Sequence, residues 1–292
     1  MTALFTDKKT YTSGMQMRSL GKNDFSLLID FLQQDILIHR HLDWRPPVEW
    51  LGEKPFLAAE TNGKIQGILA MPDDPPGIFW VRLFALREKR NIQPIWEFLL
   101  SEGLQQMSGK NHQPLAALAY SDWFKQLLNS SHWVERQRVV LLKYKGRRGE
   151  IPDLDDSHLL RPMVSSDIPR VAEIDQACFE PLWQQSGDAI RRAYTQISYA
   201  SVMEFCSEII GFQMTTTTAA NAHLARLAVL PQYQGTGVGT ALVMDMIQRV
   251  KQALMREITV NTQQDNPNSI RLYQKLGFEL TGESFPILIY PQ

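Results

Sequence analysis

The sequence predicts an α/β protein built as two tandem copies of one unit, and three observations predict it. The first is self-similarity. "MRSLGKNDFSLLIDFL" lies over "LRPMVSSDIPRVAEID", pairing Arg18 with Arg161 and Asp24 with Asp167 at a separation of 143. "GKIQGILAM" lies over "SEIIGFQMT" and "VRLFAL" over "ARLAVL", pairing Gly67 with Gly211 and Arg82 with Arg226 at 144, and "NSSHWVE" over "QKLGFEL" pairs Trp133 with Phe278 at 145. Offsets that drift so little imply a duplicated unit with small insertions. The second observation is that β-branched and aromatic runs alternate with runs of helical period. The third is "QGTGVG", Gln234 to Gly239, where three glycines separate a strand pattern from a helix pattern. The implied organisation is an extension over 1–14, a first domain over 15–146, a polar linker over 147–157 and a second domain over 158–292.

The second domain can be read element by element. "HLLRPM" is a strand, and Asp167 is expected to cap a helix through "IPRVAEIDQACF", with Pro169 tolerated in its first turn. "GDAIRRAYTQI" is a second helix. "YASVMEFC" and "EIIGFQMTTTT" read as a hairpin about Ser207-Glu208, and "AHLARLAVL" as the next strand. Regular alternation along it would put His223, Ala225, Leu227 and Val229 on one face. After the glycines, Leu242, Val243, Met246, Ile247, Val250 and Leu254 recur at helical spacing, opposite Asp245, Gln248, Arg249, Lys251 and Gln252. "EITVNTQ" is a strand, "NPNSIRLYQKLG" a short helix stopped by Gly277, and "FELTG" and "PILIY" two closing strands.

Composition bounds the function. A chain of 292 residues with 44% hydrophobic content and a net charge of −1 can bury a full core and offers no global attraction for nucleic acid or anionic membrane. No apolar run approaches the ~18 residues needed to span a bilayer, and the N-terminus lacks the order of a signal peptide, so the cytoplasm is the expected location. Cys178 and Cys206 are the two cysteines; they read as buried thiols, and no metal site is expected. "HRHLDW", with His39, His41 and Asp43, lacks a second ligand cluster and reads as a packed or solvated loop. Asp73 and Asp74 read as turn residues.

Glycines between a strand and a helix N-terminus make a nest of backbone N–H groups suited to phosphate. A P-loop would need Gly-Lys-Ser/Thr, and Gly239 is followed by Thr240. A dinucleotide fingerprint would run Gly235, Gly237 and then Thr240 in place of the third glycine, and Glu257 begins the next strand where an acid should end it. The loop, the preceding "RLAVLP" and the following "NPNSIRLYQKLGF" instead resemble the GCN5-related N-acetyltransferase (GNAT) family. Gln234, Gly237 and Gly239 match its Q/R-x-x-G-x-G/A signature, with Gly235, Thr236 and Val238 at its open positions; Asn266, Leu272, Tyr273, Gly277 and Phe278 match its second motif, with Ser269 where alanine is usual. The resemblance covers 157 to the C-terminus.

It implies two tandem GNAT-like domains, each with a mixed, mostly antiparallel sheet flanked by helices, and acetyl-CoA as co-substrate held between splayed strands. Contacts to it would come from Leu227, Val229, Gln234, Gly235, Thr236, Gly237, Val238, Gly239, Thr240, Asn266 and Tyr273. A backbone N–H near Val229 would polarise the thioester carbonyl, and Tyr273 would protonate the leaving sulfur; Asn266 would also serve as an ordinary helix cap. Where family branches carry a glutamate base this chain has Asn261 on one strand and His223 on the other, which makes His223 the candidate base, set against a purely structural role. In the first half Gln234, Gly237 and Gly239 fall on Arg90, Gln93 and Ile95, with Pro94 between, so that half reads as a degenerate copy. The implied activity is direct transfer of acetyl to an amine of a small molecule or peptide. The alternative is a non-catalytic acyl-CoA-binding or sensing protein.

Overall fold

A computed structural model describes residues 14–34, 37–107, 113–146 and 154–291. The expected extension lies almost wholly outside the described residues, as does 147–153 of the expected linker. The chain divides into two compact units, Gln137–Phe285 and, as the other, residues up to Arg136 with Pro286–Gln292. These units differ from the expected domains 15–146 and 158–292 at two segments, because strand pairing assigns each to the other half's unit.

The first unit runs β1 (Gln16–Ser19), α1 (Phe25–Leu32), β2 (Leu37–Arg40), β3 (Phe56–Thr61), β4 (Lys64–Ala70), β5 (Phe79–Trp80), β6 (Leu83–Leu86), α2 (Ile92–Met107), β7 (Leu115–Leu118) and α3 (Asp122–Ser130). β1-β3-β4-β6-β2 form an antiparallel sheet. β5 pairs parallel with β7, and β7 pairs antiparallel with Ile287–Ile289. Leu288 therefore joins the apolar cluster of Phe84, Trp96, Phe124 and Trp133.

The second unit takes the greater part of β8 (Val134–Tyr144), followed by β9 (His158–Pro162), α4 (Ile168–Cys178), α5 (Gly187–Gln196), β10 (Tyr199–Phe205), β11 (Glu208–Thr217), β12 (Asn221–Val229), α6 (Val238–Gln252), β13 (Glu257–Gln263), α7 (Pro267–Lys275) and β14 (Phe278–Ile289). The strand order is β9-β10-β11-β12-β13-β8-β14. β12 and β13 pair parallel, and β9-β10, β10-β11, β11-β12 and β13-β8 pair antiparallel. The two expected closing strands are one strand, β14, whose end belongs to the first unit.

Local chemistry accounts for the elements. α6 buries Leu242, Val243, Met246, Ile247 and Val250 on one face, the stripe read from the sequence except Leu254, which lies past the helix end at positive φ and is exposed. The β10–β11 hairpin turns on Cys206 and Ser207, both at positive φ (50° and 69°), the conformation of a two-residue primed turn. Cys206 is thus exposed rather than buried, because the turn tip projects it into solvent. Asp167 does not cap α4. Its carboxylate accepts the Val164 N–H at 2.8 Å and two bonds from Arg161 at 2.7 and 3.0 Å, closing the short turn that precedes the helix. Asp24 likewise accepts from the Gly21 N–H and from Arg18, so the repeated Arg–Asp pair is one clasp used twice.

Candidate functional site

Parallel pairing of β12 with β13 runs from Asn221↔Glu257 to Leu224↔Val260. Beyond it the strands part, and a cleft of about 740 Å³ lies between β12, the glycine loop and α7. Leu230 N–H bonds Ile210 O across β11 at 2.9 Å. Alternate amides of a strand point to opposite edges, so the N–H groups of Leu227 and Val229 face the open edge and the cleft. The Val229 carbonyl faces the same way and accepts from Gln234 Nε2 at 2.9 Å and from the Cys178 thiol at 3.2 Å. Burial pushes that thiol up to about 11, which keeps it protonated and donating.

At the other end of the cleft, Gly235 and Gly237 have φ of +80° and +102°, and α6 starts at Val238 with no side-chain cap. The N–H groups of the first helical turn have no acceptor one turn back, so Val238, Gly239 and Thr240 present donors at the positive end of the helix dipole. A β-carbon at Gly235 would meet no atom within 4 Å, and one at Gly239 would touch Leu272 at 3.4 Å and Val229 at 3.7 Å. Among the described residues no carboxylate lines the cleft, whereas Arg271 and Lys275 of α7 do. Backbone donors, a side-chain-free loop and two cations fit a phosphorylated anion.

Leu227, Val229, Gln234, Gly235, Gly237, Gly239, Thr240 and Asn266 line the cleft as expected. Asn266 also accepts from Ser269 N–H at 3.1 Å, so it caps α7 and lines the cleft at once. Thr236 and Val238 do not line it: the Thr236 hydroxyl donates to Tyr233 O, and Val238 is buried in the core. Tyr273 is also off the lining, 4% exposed against Phe278, and burial pushes its phenol up, so it stays protonated.

His223 departs from the expected alternation. The β11–β12 register shifts between Thr215↔Leu224 and Met214↔Arg226, leaving Ala225 as an extra residue. Leu224 and Leu227, three apart, therefore reach the same apolar cluster with Val243 and Met246, and His223 lies on the face opposite Leu227. Thr259 Oγ1 lies 2.9 Å from His223 Nδ1 and 3.4 Å from Ala222 O; when it donates to Ala222 O it accepts from Nδ1, and Nε2 then carries the lone pair. Burial lowers the His223 pKa, and the ring is neutral at neutral pH.

Sequence reasoning missed Ala228, Asn268, Arg271 and Lys275 as lining residues. For the last two a signal existed, cations spaced i, i+4 on one helix face. It also missed β2. At a separation of 144, Leu227–Leu230 correspond to β6, and β6 pairs with β2 over Leu37↔Leu86 to Arg40↔Leu83. Tyr120, two residues past β7, bonds both the N–H (2.9 Å) and the carbonyl of Arg40 through its hydroxyl. His39 of β2, fully buried, stacks on Phe124 at 3.8 Å. An extended piece of the chain thus lies where the second unit has its cleft, and Ile95 packs so closely on Gly67 that a β-carbon there would come within 2.5 Å of its methyl. Among the described residues no three His, Cys, Asp or Glu side chains cluster as a metal site requires, and no helix is long and apolar enough to cross a membrane.

Residues 168–278 match the acetyltransferase (GNAT) family. The chain is 33% identical over 72 residues to a [ribosomal protein bS18]-alanine N-acetyltransferase of Haemophilus influenzae, covering 25% of this chain and 49% of that protein. It is 27% identical over 112 residues to an uncharacterized N-acetyltransferase of Pyropia yezoensis, covering 36% and 63%. The chain spans less than two thirds of the length of both. Among solved structures, a tandem GNAT protein from the clavulanic acid biosynthesis pathway superposes with a TM-score of 0.62 at 14% identity, covering 95% of this chain and 99% of that one. That likeness gives 95% of this chain the fold of a tandem GNAT protein.

Proposed function

We propose that the second unit, whose residues 168–278 match the acetyltransferase (GNAT) family, binds acetyl-CoA and transfers the acetyl group to an amine of a small molecule or peptide. The observation that carries the proposal is the cleft itself, with free strand amides at Leu227 and Val229 at one end and a glycine-built helix N-terminus at the other. Acetyl-CoA would supply a thioester carbonyl and a thiolate leaving group. The Val229 amide would hold the carbonyl oxygen, where a donor aimed at developing charge acts most strongly. The helix N-terminus, with Arg271 and Lys275, would hold the phosphates. Tyr273, kept protonated by burial, would give its proton to sulfur, and the bare Nε2 of His223 would take one from the amine, directly or through water.

The similarity to a [ribosomal protein bS18]-alanine N-acetyltransferase makes a peptide α-amine the first acceptor to try. The first unit is proposed to bind no acetyl-CoA, because β2 fills its cleft. The experiment is turnover of acetyl-CoA with a panel of peptides and amines, following thiol release. Acceptor-dependent release supports transfer. Tight binding with no release to any acceptor would favour the reading as a non-catalytic acyl-CoA-binding protein.

A further inference from the structure

A chain of hydrogen bonds crosses the parted strands of the second unit. Arg226 of β12 donates from Nη2 to the Trp183 carbonyl at 2.7 Å and lays its guanidinium on the Phe179 ring at 3.6 Å. The Trp183 indole N–H donates to Gln137 Oε1 at 2.7 Å, and Gln137 Nε2 donates to both carboxylate oxygens of Asp265 at 2.9 Å. Asp265 sits between β13 and α7, next to Asn266 of the cleft lining. One amide side chain therefore ties the β12 arm, through Trp183, to the β13 arm, through Asp265. Both of its hydrogen-bonding ends are used, and neither partner could be served by an apolar residue.

The position of this brace follows from the strand. The paired rungs of β12 end at Leu224, Arg226 follows, the cleft-facing amides begin at Leu227, and the phosphate loop comes last. Arg226, Phe179 and Trp183 thus belong to the acyl end of the cleft. Arg226 shares the strand face opposite Leu227 with His223, since it reaches α4 whereas Leu227 reaches the α6 cluster. Trp183 and Asp265 flank the cleft without lining it, beside the lining residues Phe179 and Asn266, and the Asp265 carboxylate is exposed.

We propose that Gln137 is a positioning residue for the acceptor: it fixes the Trp183 ring and the Asp265 carboxylate as the wall against which an ammonium group docks before transfer. The inference rests on the acetyl-transfer reading of the cleft. It also gives a role to β8, since Gln137 precedes the linker in sequence yet belongs to the second unit.

The test uses the full chain, with a peptide beginning in alanine and n-butylamine as acceptors. Gln137→Ala should raise the acceptor KM about tenfold, the scale of a lost hydrogen bond to a charged group, with the acetyl-CoA KM unchanged. Gln137→Glu keeps the acceptor for Trp183 but sets a second carboxylate against Asp265, and should raise it further. Adding Asp265→Asn to Gln137→Glu restores the hydrogen bonds with donor and acceptor reversed but removes the Asp265 carboxylate, so the acceptor KM should stay at or above that of Gln137→Ala. Parallel changes in both KM values, an unchanged acceptor KM in Gln137→Ala, or a parental acceptor KM in the double variant would overturn the proposal. So would a parent chain that binds acetyl-CoA and acetylates neither probe. A parent chain that binds no acetyl-CoA would overturn the reading of the cleft, and this inference with it.

Discussion

Arg226 Nε donates to Asp175 Oδ2 at 2.6 Å, and Asp175 is fully buried. Its other oxygen accepts the Gln185 N–H at 2.8 Å, so one carboxylate ties α4 to β12 and to the segment before α5. Removing one partner of a buried pair leaves an uncompensated charge, which costs about 3–5 kcal/mol. Arg226→Ala should lower the stability of the second unit by that order in urea unfolding. A loss below about 1 kcal/mol, the range of exposed pairs, would show that water satisfies Asp175.

Gly239 separates a role in folding from a role in binding. Its added β-carbon would meet only Leu272 and Val229 at ordinary contact distances, and alanine is the better helix former by about 1 kcal/mol. Gly239→Ala should leave the melting temperature unchanged or raised while weakening acetyl-CoA binding, measured by calorimetry. Unchanged affinity would mean that the phosphates do not approach this backbone. Gly237→Ala differs, because φ of +102° strains any L side chain there.

The proton-transfer assignments predict different kinetic signatures. Tyr273→Phe should lower kcat by about 10²- to 10⁴-fold with little change in acetyl-CoA affinity. His223, with its pKa lowered from 6.5 by burial, loses base function as pH falls below that range. His223→Ala should therefore abolish the acidic limb of the pH–rate profile. An unaltered profile would return His223 to a structural role beside Thr259.

His39 predicts a pH dependence of stability. Burial lowers its pKa to about 3, whereas the unfolded chain protonates it near 6.5. The unfolded state thus binds more protons at acid pH, so this contribution to stability is complete above 6.5 and is lost progressively as pH falls toward 3. His39→Phe, which keeps a ring against Phe124, should flatten the fall of melting temperature over that window. An identical slope in both proteins would contradict the burial of a neutral imidazole.

What could be read from the sequence was what local chemistry encodes. The glycine loop, the α6 stripe as far as Val250, the Asn266 cap and the β10–β11 hairpin, expected one residue later at Ser207-Glu208, each depend on neighbours within a few residues. The Arg18–Asp24 and Arg161–Asp167 clasps were visible as a repeat, though the carboxylate closes a turn where a helix cap was expected. Non-local pairing was not legible. Nothing in the alternation of "AHLARLAVL" announces the extra residue at Ala225, which inverts the face of His223. The pairing of Val139–Lys143 with β13 and of Ile287–Ile289 with β7 depends on which edge each strand finds, and alternation is silent on that. β2 was hidden because "LIHR" is short and carries a histidine that becomes fully buried only once stacked on Phe124.

The most direct test is calorimetric titration of the full chain with acetyl-CoA. An open cleft between β12 and β13, and a corresponding position in the first unit taken by β2 and held by Tyr120, predict saturation at one molecule per chain. Saturation at two equivalent sites, or no binding at all, would contradict the account.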